Sequence, residues 1–255
     1  MHAPLYMTPP CGDERIVDAM LAGDLGMITT PAQGNRPIPG VVKCRDNGVF
    51  GGHYRGDEAY LAGLDELAAA GLADEFAFVV APDVVGNHWA TKNASWDMLP
   101  RIRERGFSVA FVAQPGIEYD AWDLWNDIDA LFIGGGDDWK ESAAVAELVD
   151  IANSLGKWTH MGRVNTWGRY LIAARMGVDS VDGTMCTVAP KNVERIMRWR
   201  DRILAAADVD ALFGVDEPAF EEVNGFNPDR PGRHRGRFTS ARPAAEVDQL
   251  SLFAA

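Results

Sequence analysis

Eight short apolar runs alternate with longer amphipathic segments, and this alternation constrains the fold of the chain more than any other feature. The predicted strands are Pro4–Thr8, Gly26–Thr30, Val41–Cys44, Phe76–Ala81, Ser108–Ala113, Ala130–Gly134, Trp158–Met161 and Ser180–Asp182. Short apolar runs rich in β-branched residues are typical of strands that are buried on both faces. Strands that alternate with helices along a chain indicate a mostly parallel sheet.

The segments between these runs show helical periodicity. In the second, Tyr60, Leu61, Leu64 and Leu67 share one face. The predicted helices are Asp13–Ala22, Asp57–Ala73, Thr91–Glu104, Glu118–Asn126, Trp139–Leu155, Thr166–Arg175 and Lys191–Ala207. Eight strands favour closure, so the expected fold class is α/β, a compact (β/α)8 TIM-type barrel. A doubly wound open sheet is the alternative that the pattern alone leaves open.

The barrel pattern stops near residue 209. We therefore expect a barrel domain over residues 1–208 and a C-terminal extension over residues 209–255. The extension contains a segment, Val223–Pro243, that is rich in Gly, Pro, Asn and Arg. Such a composition predicts an Arg-rich extension that is partly disordered.

Composition excludes some classes of protein. No run of 18 apolar residues is present, and the first ten residues lack a signal-peptide pattern, so we expect no membrane partner. Cys11, Cys44 and Cys186 are far apart and odd in number, which is typical of a reducing cytoplasm. We expect a cytoplasmic location, in the host cytoplasm if a phage encodes the chain. A net charge of −13 argues against a general nucleic-acid coating protein.

Polar residues follow the predicted strands, at the end where parallel barrels carry their chemistry. Asp46 and Asp83 follow the third and fourth strands, Gln114 follows the fifth, a glycine run at 134–136 follows the sixth, and Asp182 stands at the end of the eighth. Carboxylates can accept hydrogen bonds from ring N–H groups, an amide can donate to a carbonyl, and glycines allow a flat ring close to the backbone. The set predicts a site for a purine-like ligand, although any one such Asp is more typical of a turn.

The histidines suggest an alternative function, in a different class of enzyme. His88 and His160 could join Asp83 around a metal ion, which would make the chain a metal-dependent barrel hydrolase. No two histidines stand at HxH or HxxxH spacing. We therefore predict no metal ligands and no cofactor, and we keep the hydrolase as an alternative.

Six motifs at successive strand ends resemble those of the queuine/archaeosine tRNA-guanine transglycosylase superfamily. In chain order, the segments beginning at Asp46, Pro82, Phe111, Phe132, His160 and Gly177 read DNGVF, PDVV, FVAQPG, FIGGG, HMGRV and GVDSVD. They are similar to the family's DSGGF, second base-reading aspartate, VQGG, LGGL, LMGVG and GIDMFD segments. The resemblance spans roughly Pro4 to Pro190.

The resemblance implies an exchange of guanine in a nucleic acid through a covalent aspartyl-sugar intermediate. By the matching motifs, Asp182 is the nucleophile and Asp46 the general acid and base. The matching motifs also assign base binding to a further set: Asp83, Gln114, Gly134, Gly135, Gly136, Met161 and Phe50. The reaction needs neither a metal ion nor a redox cofactor.

Departures from the family pattern indicate a particular branch. The tRNA enzymes are longer and carry a C-terminal zinc site of three cysteines and a histidine, which this sequence lacks. The sequence is most similar to the compact branch, found in phages and bacterial gene clusters, that places 7-deazaguanines in DNA. The implied partners are DNA, a free 7-deazaguanine base such as preQ0, and either partner proteins or a second copy. Three alternatives are a tRNA-guanine transglycosylase, a non-catalytic nucleobase- or nucleic-acid-binding barrel, and a barrel with another small substrate.

Basic residues cluster after the predicted nucleophile. Arg195, Arg198 and Arg202 stand at i, i+3 and i+7 of the last predicted helix, which Lys191 precedes. A second basic cluster lies within Asp229–Pro243. These residues are candidates for contacts to nucleic-acid phosphates, and the alternative is a solvated helix face with a basic tail.

Overall fold

Eight parallel strands form a closed barrel in the computed structural model, which describes residues 2–32, 36–120 and 123–217. Each strand pairs with the next along the chain, and β8 pairs with β1 to close the ring. The strands are β1 (Leu5–Thr8), β2 (Leu25–Thr29), β3 (Lys43–Arg45), β4 (Phe76–Val80), β5 (Val109–Ala113), β6 (Ala130–Ile133), β7 (Trp158–Met161) and β8 (Ser180–Asp182). The predicted (β/α)8 barrel is therefore confirmed, and the open-sheet alternative is wrong.

Side-chain alternation along the strands produces two apolar layers. Residues of one parity fill the barrel: Met7, Ile28, Cys44, Phe78, Val80, Ala110, Val112 and Ala130 form one buried cluster. Residues of the other parity, such as Met27, Met161 and Val181, pack outward against the helices. Because both faces of each strand are covered, most strand residues are apolar, which explains why the sequence pattern located all eight.

The outer layer contains nine α-helices in the described residues. They are α1 (Glu14–Leu21), α2 (Asp57–Ala69), α3 (His88–Ser95), α4 (Met98–Arg103), α5 (Asp137–Lys140), α6 (Ala143–Ser154), α7 (Trp167–Met176), α8 (Met185–Val188) and α9 (Asn192–Ala205). None of the helices in this part of the chain has the length and apolar character that a membrane crossing requires.

Three predicted helices differ from the observed ones. The segment predicted as Thr91–Glu104 divides into α3 and α4, because Pro100 lacks an N–H and fits only the first turn of a helix. The segment Trp139–Leu155 divides where Ser142 caps α6, its Oγ accepting the Val145 N–H at 3.4 Å. The helix predicted over Glu118–Asn126 is wrong, since short 3₁₀ turns lie at Ile117–Tyr119 and Leu124–Asn126.

The chain after α9 folds back onto the barrel. Val209 and Leu212 belong to the same core cluster as Trp199 and Ile203 of α9. Glu217 accepts the Trp199 indole N–H at 2.9 Å. The predicted boundary at residue 208 therefore cuts through continuous packing that reaches Glu217. The basic cluster within Asp229–Pro243 lies outside the described residues.

Candidate active site

An open cavity lies at the carboxyl ends of the strands, with about 600 Å³ of empty space that includes its opening to solvent. The residues that line the cavity are Ile28, Asp46, Asn47, Phe50, Asp83, Val85, Val112, Gln114, Phe132, Gly134, Gly135, Gly162, Arg163 and Asp182. Seven of the nine residues predicted for catalysis or base binding are among them. The exceptions are Met161 and Gly136.

Met161 lies elsewhere, and its predicted role in base binding is wrong, whereas Gly136 stands one residue beyond the lining and its role stays a prediction. Met161 is 1% exposed and packs in the layer between the strands and the helices. It follows His160 on β7, and successive residues of a strand point to opposite faces, so His160 is the one that points into the barrel. Gly136 is exposed and precedes α5, outside the cavity lining.

Asp46 is held at the end of β3 in a setting that favours its protonated form. Its backbone N–H donates to the Thr29 carbonyl at 2.8 Å, which anchors the turn to β2. Burial first, and then the nearby charges of Asp182 and Asp83, raise the pKa of Asp46 to about 7, against an opposing effect of the Asn47 and Gly48 N–H groups. A carboxyl group with this pKa can both give and take a proton near neutral pH.

Asp83 is held between two amides. One oxygen accepts from Asn47 Nδ2 at 2.9 Å, and the other accepts from Gln114 Nε2 at 2.8 Å. The amides are themselves fixed: Asn47 Nδ2 also donates to the Ala81 carbonyl at 2.8 Å, and Gln114 Oε1 accepts the Gly86 N–H at 2.8 Å. Burial raises the pKa of Asp83, and the two amide hydrogen bonds oppose that rise. The result is a rigid carboxyl group that keeps lone pairs for a ligand.

Asp182 ends β8 with one carboxylate oxygen engaged by the protein. Oδ1 lies 3.1 Å from His160 Nε2 and accepts the Arg163 backbone N–H at 3.3 Å. Its side chain is 19% exposed, whereas that of His160 is fully buried. A Cβ at Gly162 would lie 3.3 Å from this oxygen and 3.0 Å from the Phe132 ring, so glycine keeps the β7 loop close to Asp182.

Arg163 is a cavity residue that the sequence analysis did not select. Its φ of 61° makes it the single non-glycine residue with positive φ in the described ranges. The guanidinium lies 4.5 Å from the centre of the Phe50 ring and donates to the Gly135 carbonyl. Strained backbone of this kind concentrates at functional sites. The sequence did offer one signal for Arg163, since it is a basic residue just after a predicted strand. Its positive φ, however, cannot be read from the sequence.

Glycine is required beside the amide of Gln114. A Cβ at Gly134 would stand 2.8 Å from Gln114 Nε2 and 2.8 Å from the Val112 side chain. Atoms do not approach that closely, so any larger residue would displace the amide that holds Asp83. Gly134 therefore leaves the room that Gln114 needs to hold Asp83 in the cavity.

The three residues of the metal-hydrolase alternative are not brought together. His88 Nε2 lies 3.2 Å from Asp120, His160 lies beside Asp182, and Asp83 is engaged by its two amides. Within the described residues, no group of three or more His, Cys, Asp or Glu side chains is arranged to hold a metal ion. The predicted combination of Asp83, His88 and His160 is therefore wrong.

Two lysines are buried, but neither lines the cavity. Lys140 Nζ donates to the Gly162 carbonyl at 2.7 Å and lies 3.2 Å from Asp137. Burial, followed by the charge of Arg163, lowers the pKa of Lys140. Lys43 pairs with Glu75, which precedes β4 and so lies at the opposite end of the barrel. Neither amine is placed to form a Schiff base with a ligand in this cavity.

The packing of α9 removes one residue from the predicted set of phosphate contacts, which was Lys191, Arg195, Arg198 and Arg202. Arg195 is 8% exposed, pairs with Glu217 and lies over the Trp199 ring at 5.7 Å. Its predicted contact with phosphate is therefore wrong, because it falls at the edge of the buried stripe. Arg198 is exposed, whereas Lys191 and Arg202 are half-buried. Lys191 and Arg202 stand eleven positions apart, about 16 Å along a helix.

The comparisons with known proteins bear on the fold. No protein-family model matches the chain, and no curated protein matches it. A solved structure described as native KDPGal aligns at a TM-score of 0.51 and 14% identity, covering 80% of this chain and 94% of that one. The tryptophan synthase α2β2 complex of Pyrococcus furiosus aligns at 0.47 and 13%, covering 80% and 98%. The HpcH/HpaI aldolase of Desulfitobacterium hafniense DCB-2 aligns at 0.46 and 11%, covering 77% and 92%. At 14% identity, the structure that aligns at 0.51 supports the barrel fold alone.

Proposed function

We propose that the chain is a transglycosylase that exchanges guanine in DNA for a 7-deazaguanine base of the preQ0 type. The observation that carries the proposal is the convergence of Asp46, Asp83 and Asp182 on one cavity, with the pKa of Asp46 raised to about 7. Base exchange requires one carboxylate as nucleophile and a second carboxyl group that can both release and accept a proton.

The cavity offers complementary contacts to a guanine-like ring. Asp83 accepts from ring N–H and amino groups, while Gln114 Nε2 carries a second N–H that can donate to a carbonyl. Ile28, Val112 and Phe132 supply apolar surface for the ring faces. A base inside a duplex cannot reach such a cavity, so the target nucleotide leaves the base stack before it reacts.

The first displacement forms the covalent intermediate. Asp182 attacks C1′ from the face opposite the base, and a carboxylate oxygen bonds to C1′ as the bond between C1′ and the guanine nitrogen breaks. The electron pair of that bond leaves with guanine, which takes one proton from Asp46. Asp46 is suited to this step because its pKa of about 7 leaves much of it protonated at neutral pH.

The second displacement reverses these roles. The now ionised Asp46 removes the ring N–H proton of the incoming 7-deazaguanine. The freed nitrogen attacks C1′, and the ester electron pair returns to Asp182. Two inversions give net retention at C1′, and both carboxyl groups end in their starting protonation states.

One feature favours the compact branch, which acts on DNA, over the tRNA enzymes. All three cysteines lie in described parts of the chain, and Cys44 is in the barrel interior while Cys11 and Cys186 pack with the outer core. They do not form the zinc group that the tRNA enzymes carry. Arg163 also lines the cavity, where a guanidinium can bind a backbone phosphate of either DNA or tRNA.

The test is exchange of radiolabelled guanine into duplex DNA and into tRNA, measured in parallel. Wild type is compared with Asp182→Asn and with Asp201→Asn, which changes an exposed aspartate of α9 in the same way. We expect label to enter DNA with wild type and Asp201→Asn, and neither exchange nor covalent DNA–protein adduct with Asp182→Asn.

Each other outcome has a defined meaning. Label that enters only tRNA would replace DNA by tRNA as the substrate. Undiminished exchange by Asp182→Asn would refute the assigned nucleophile. No label in either nucleic acid, with purified protein that is folded, would refute the proposed exchange and leave a barrel that acts on, or binds, another small molecule.

A further inference from the structure

A chain of hydrogen bonds runs through the barrel interior to Asp182. Trp158 Nε1 lies 2.7 Å from Ser180 Oγ, Ser180 Oγ lies 2.8 Å from His160 Nδ1, and His160 Nε2 lies 3.1 Å from Asp182 Oδ1. All four residues occupy the inward parity of β7 and β8. Ser180 and His160 are fully buried, and the Phe132 and Phe78 rings lie 4.7 Å and 5.4 Å from the imidazole.

The donors and acceptors that each side chain carries decide which atom donates in each of these hydrogen bonds. The indole N–H can only donate, so Ser180 Oγ accepts from Trp158. The described residues offer the Ser180 hydroxyl hydrogen one acceptor, His160 Nδ1. If Nδ1 accepts, the ring proton is on Nε2, which then donates to Asp182 Oδ1. The opposite tautomer would set the Nε2 lone pair against a carboxylate oxygen.

The same chain distinguishes the two oxygens of Asp182. Oδ1 accepts from His160 Nε2 and from the Arg163 backbone N–H. The structure gives Oδ2 no hydrogen bond from the described residues, and Asp182 lines the cavity. Oδ2 is therefore the oxygen that can approach a ligand.

We propose that Trp158, Ser180 and His160 form a positioning relay that holds neutral His160 as its Nε2–H tautomer and makes Oδ2 of Asp182 the attacking oxygen. The assignment rests on the transglycosylase function proposed above. Oδ2 forms the bond to C1′, and Oδ1 becomes the ester carbonyl, still bound to His160. In the second displacement the C1′–Oδ2 bond breaks, its electron pair returns to the carboxylate, and the Nε2–H stabilises that returning charge.

The relay assists the two displacements unequally. A donor to Oδ1 stabilises the carboxylate, which is consumed in the first step and regenerated in the second. Loss of the donor should therefore slow release of the sugar more than formation of the ester. A role confined to holding the fold would reduce both steps in proportion.

Nitrogen NMR of the histidine rings tests the relay without any activity. Full-length wild type is labelled with ¹⁵N in histidine, and His160→Gln identifies the His160 signals. We expect Nε2 protonated and Nδ1 unprotonated at pH 7, and a mixture of tautomers in Ser180→Ala. An Nδ1–H tautomer or a cationic ring in the wild type would overturn the proposal, whatever reaction the protein performs.

Kinetics then separates the relay from the proposed function. His160→Leu removes the donor, and His160→Gln keeps an N–H that can reach Asp182. We expect His160→Leu to lower exchange about tenfold to hundredfold, the effect of one lost hydrogen bond to a charged group, while the fraction trapped as ester rises. His160→Gln should restore part of the exchange.

Proportional loss of exchange and ester would overturn the relay. A wild type that forms no ester would refute the transglycosylase, and the NMR result would still decide the relay.

Discussion

The raised pKa of Asp46 predicts an unusual effect of pH on stability. Burial and the charges of Asp182 and Asp83 raise that pKa from 3.8 to about 7. Between these two values the folded protein holds a proton that the unfolded chain has released. Stability therefore falls as pH rises through this window and levels off above pH 7. The cost of ionising Asp46 in the folded protein reaches about 4 kcal/mol, from about three pH units at 1.36 kcal/mol each.

Asp46→Asn removes this titration, so the variant should gain stability relative to wild type as pH rises. With folded and unfolded pKa values of about 7 and 3.8, the linkage relation gives a relative gain of about 2.5 kcal/mol between pH 5 and pH 8.5. Urea unfolding of both proteins at several pH values measures the difference, in which the titrations of groups that do not interact with Asp46 cancel. Exchange activity should be lost in the same variant. The Asp201→Asn variant makes the same substitution at an exposed site and is the control. A difference for Asp46→Asn that does not change with pH would refute the reasoning.

Three further predictions concern other parts of the chain. Formation of the sugar ester should slow as pH rises through about 7, because it requires protonated Asp46; a rate that stays flat from pH 6 to 8 would contradict this role. Arg195→Ala should lower the free energy of unfolding by about 2–3 kcal/mol, since it leaves Glu217 without its cation, and should not change the salt dependence of DNA binding. Gly183→Ala should cost about 1–3 kcal/mol in thermal or urea unfolding, because its Cβ would stand 2.1 Å from Tyr6 Oη; a neutral effect would show that the β8 loop can move.

The candidate site could be predicted in large part because barrels of this kind place their chemistry at strand ends. Asp46, Asp83, Gln114 and Asp182 each stand at or shortly after the end of a strand that the apolar pattern locates, so closure of the barrel brings them together. Met161 was assigned wrongly because motif matching ignores side-chain parity on the strand. His160, its neighbour, points inward and contacts Asp182.

Other differences come from contacts between distant segments. Arg195 has the helical spacing of a surface residue, but Glu217, 22 positions later, folds back against it. Arg163 looks like an ordinary loop residue until its φ of 61° and its stacking on Phe50 are known. Local periodicity carries no information about such partners, because they depend on where the chain returns.

The sequence by itself determined an eight-stranded parallel sheet covered by helices, since apolar runs of strand length that alternate with amphipathic segments can bury both faces of every strand only in such a sheet. Closure of that sheet into a barrel was decided by the tertiary structure. The sequence also determined which chemical groups stand at the strand ends. Only the tertiary structure decided their states: the proximity of Asp46 to Asp182 and Asp83 that raises its pKa, the two amides on Asp83, and the hydrogen-bond chain behind Asp182. These properties depend on burial and on distances across the barrel, which closure of the sheet creates and no local pattern records.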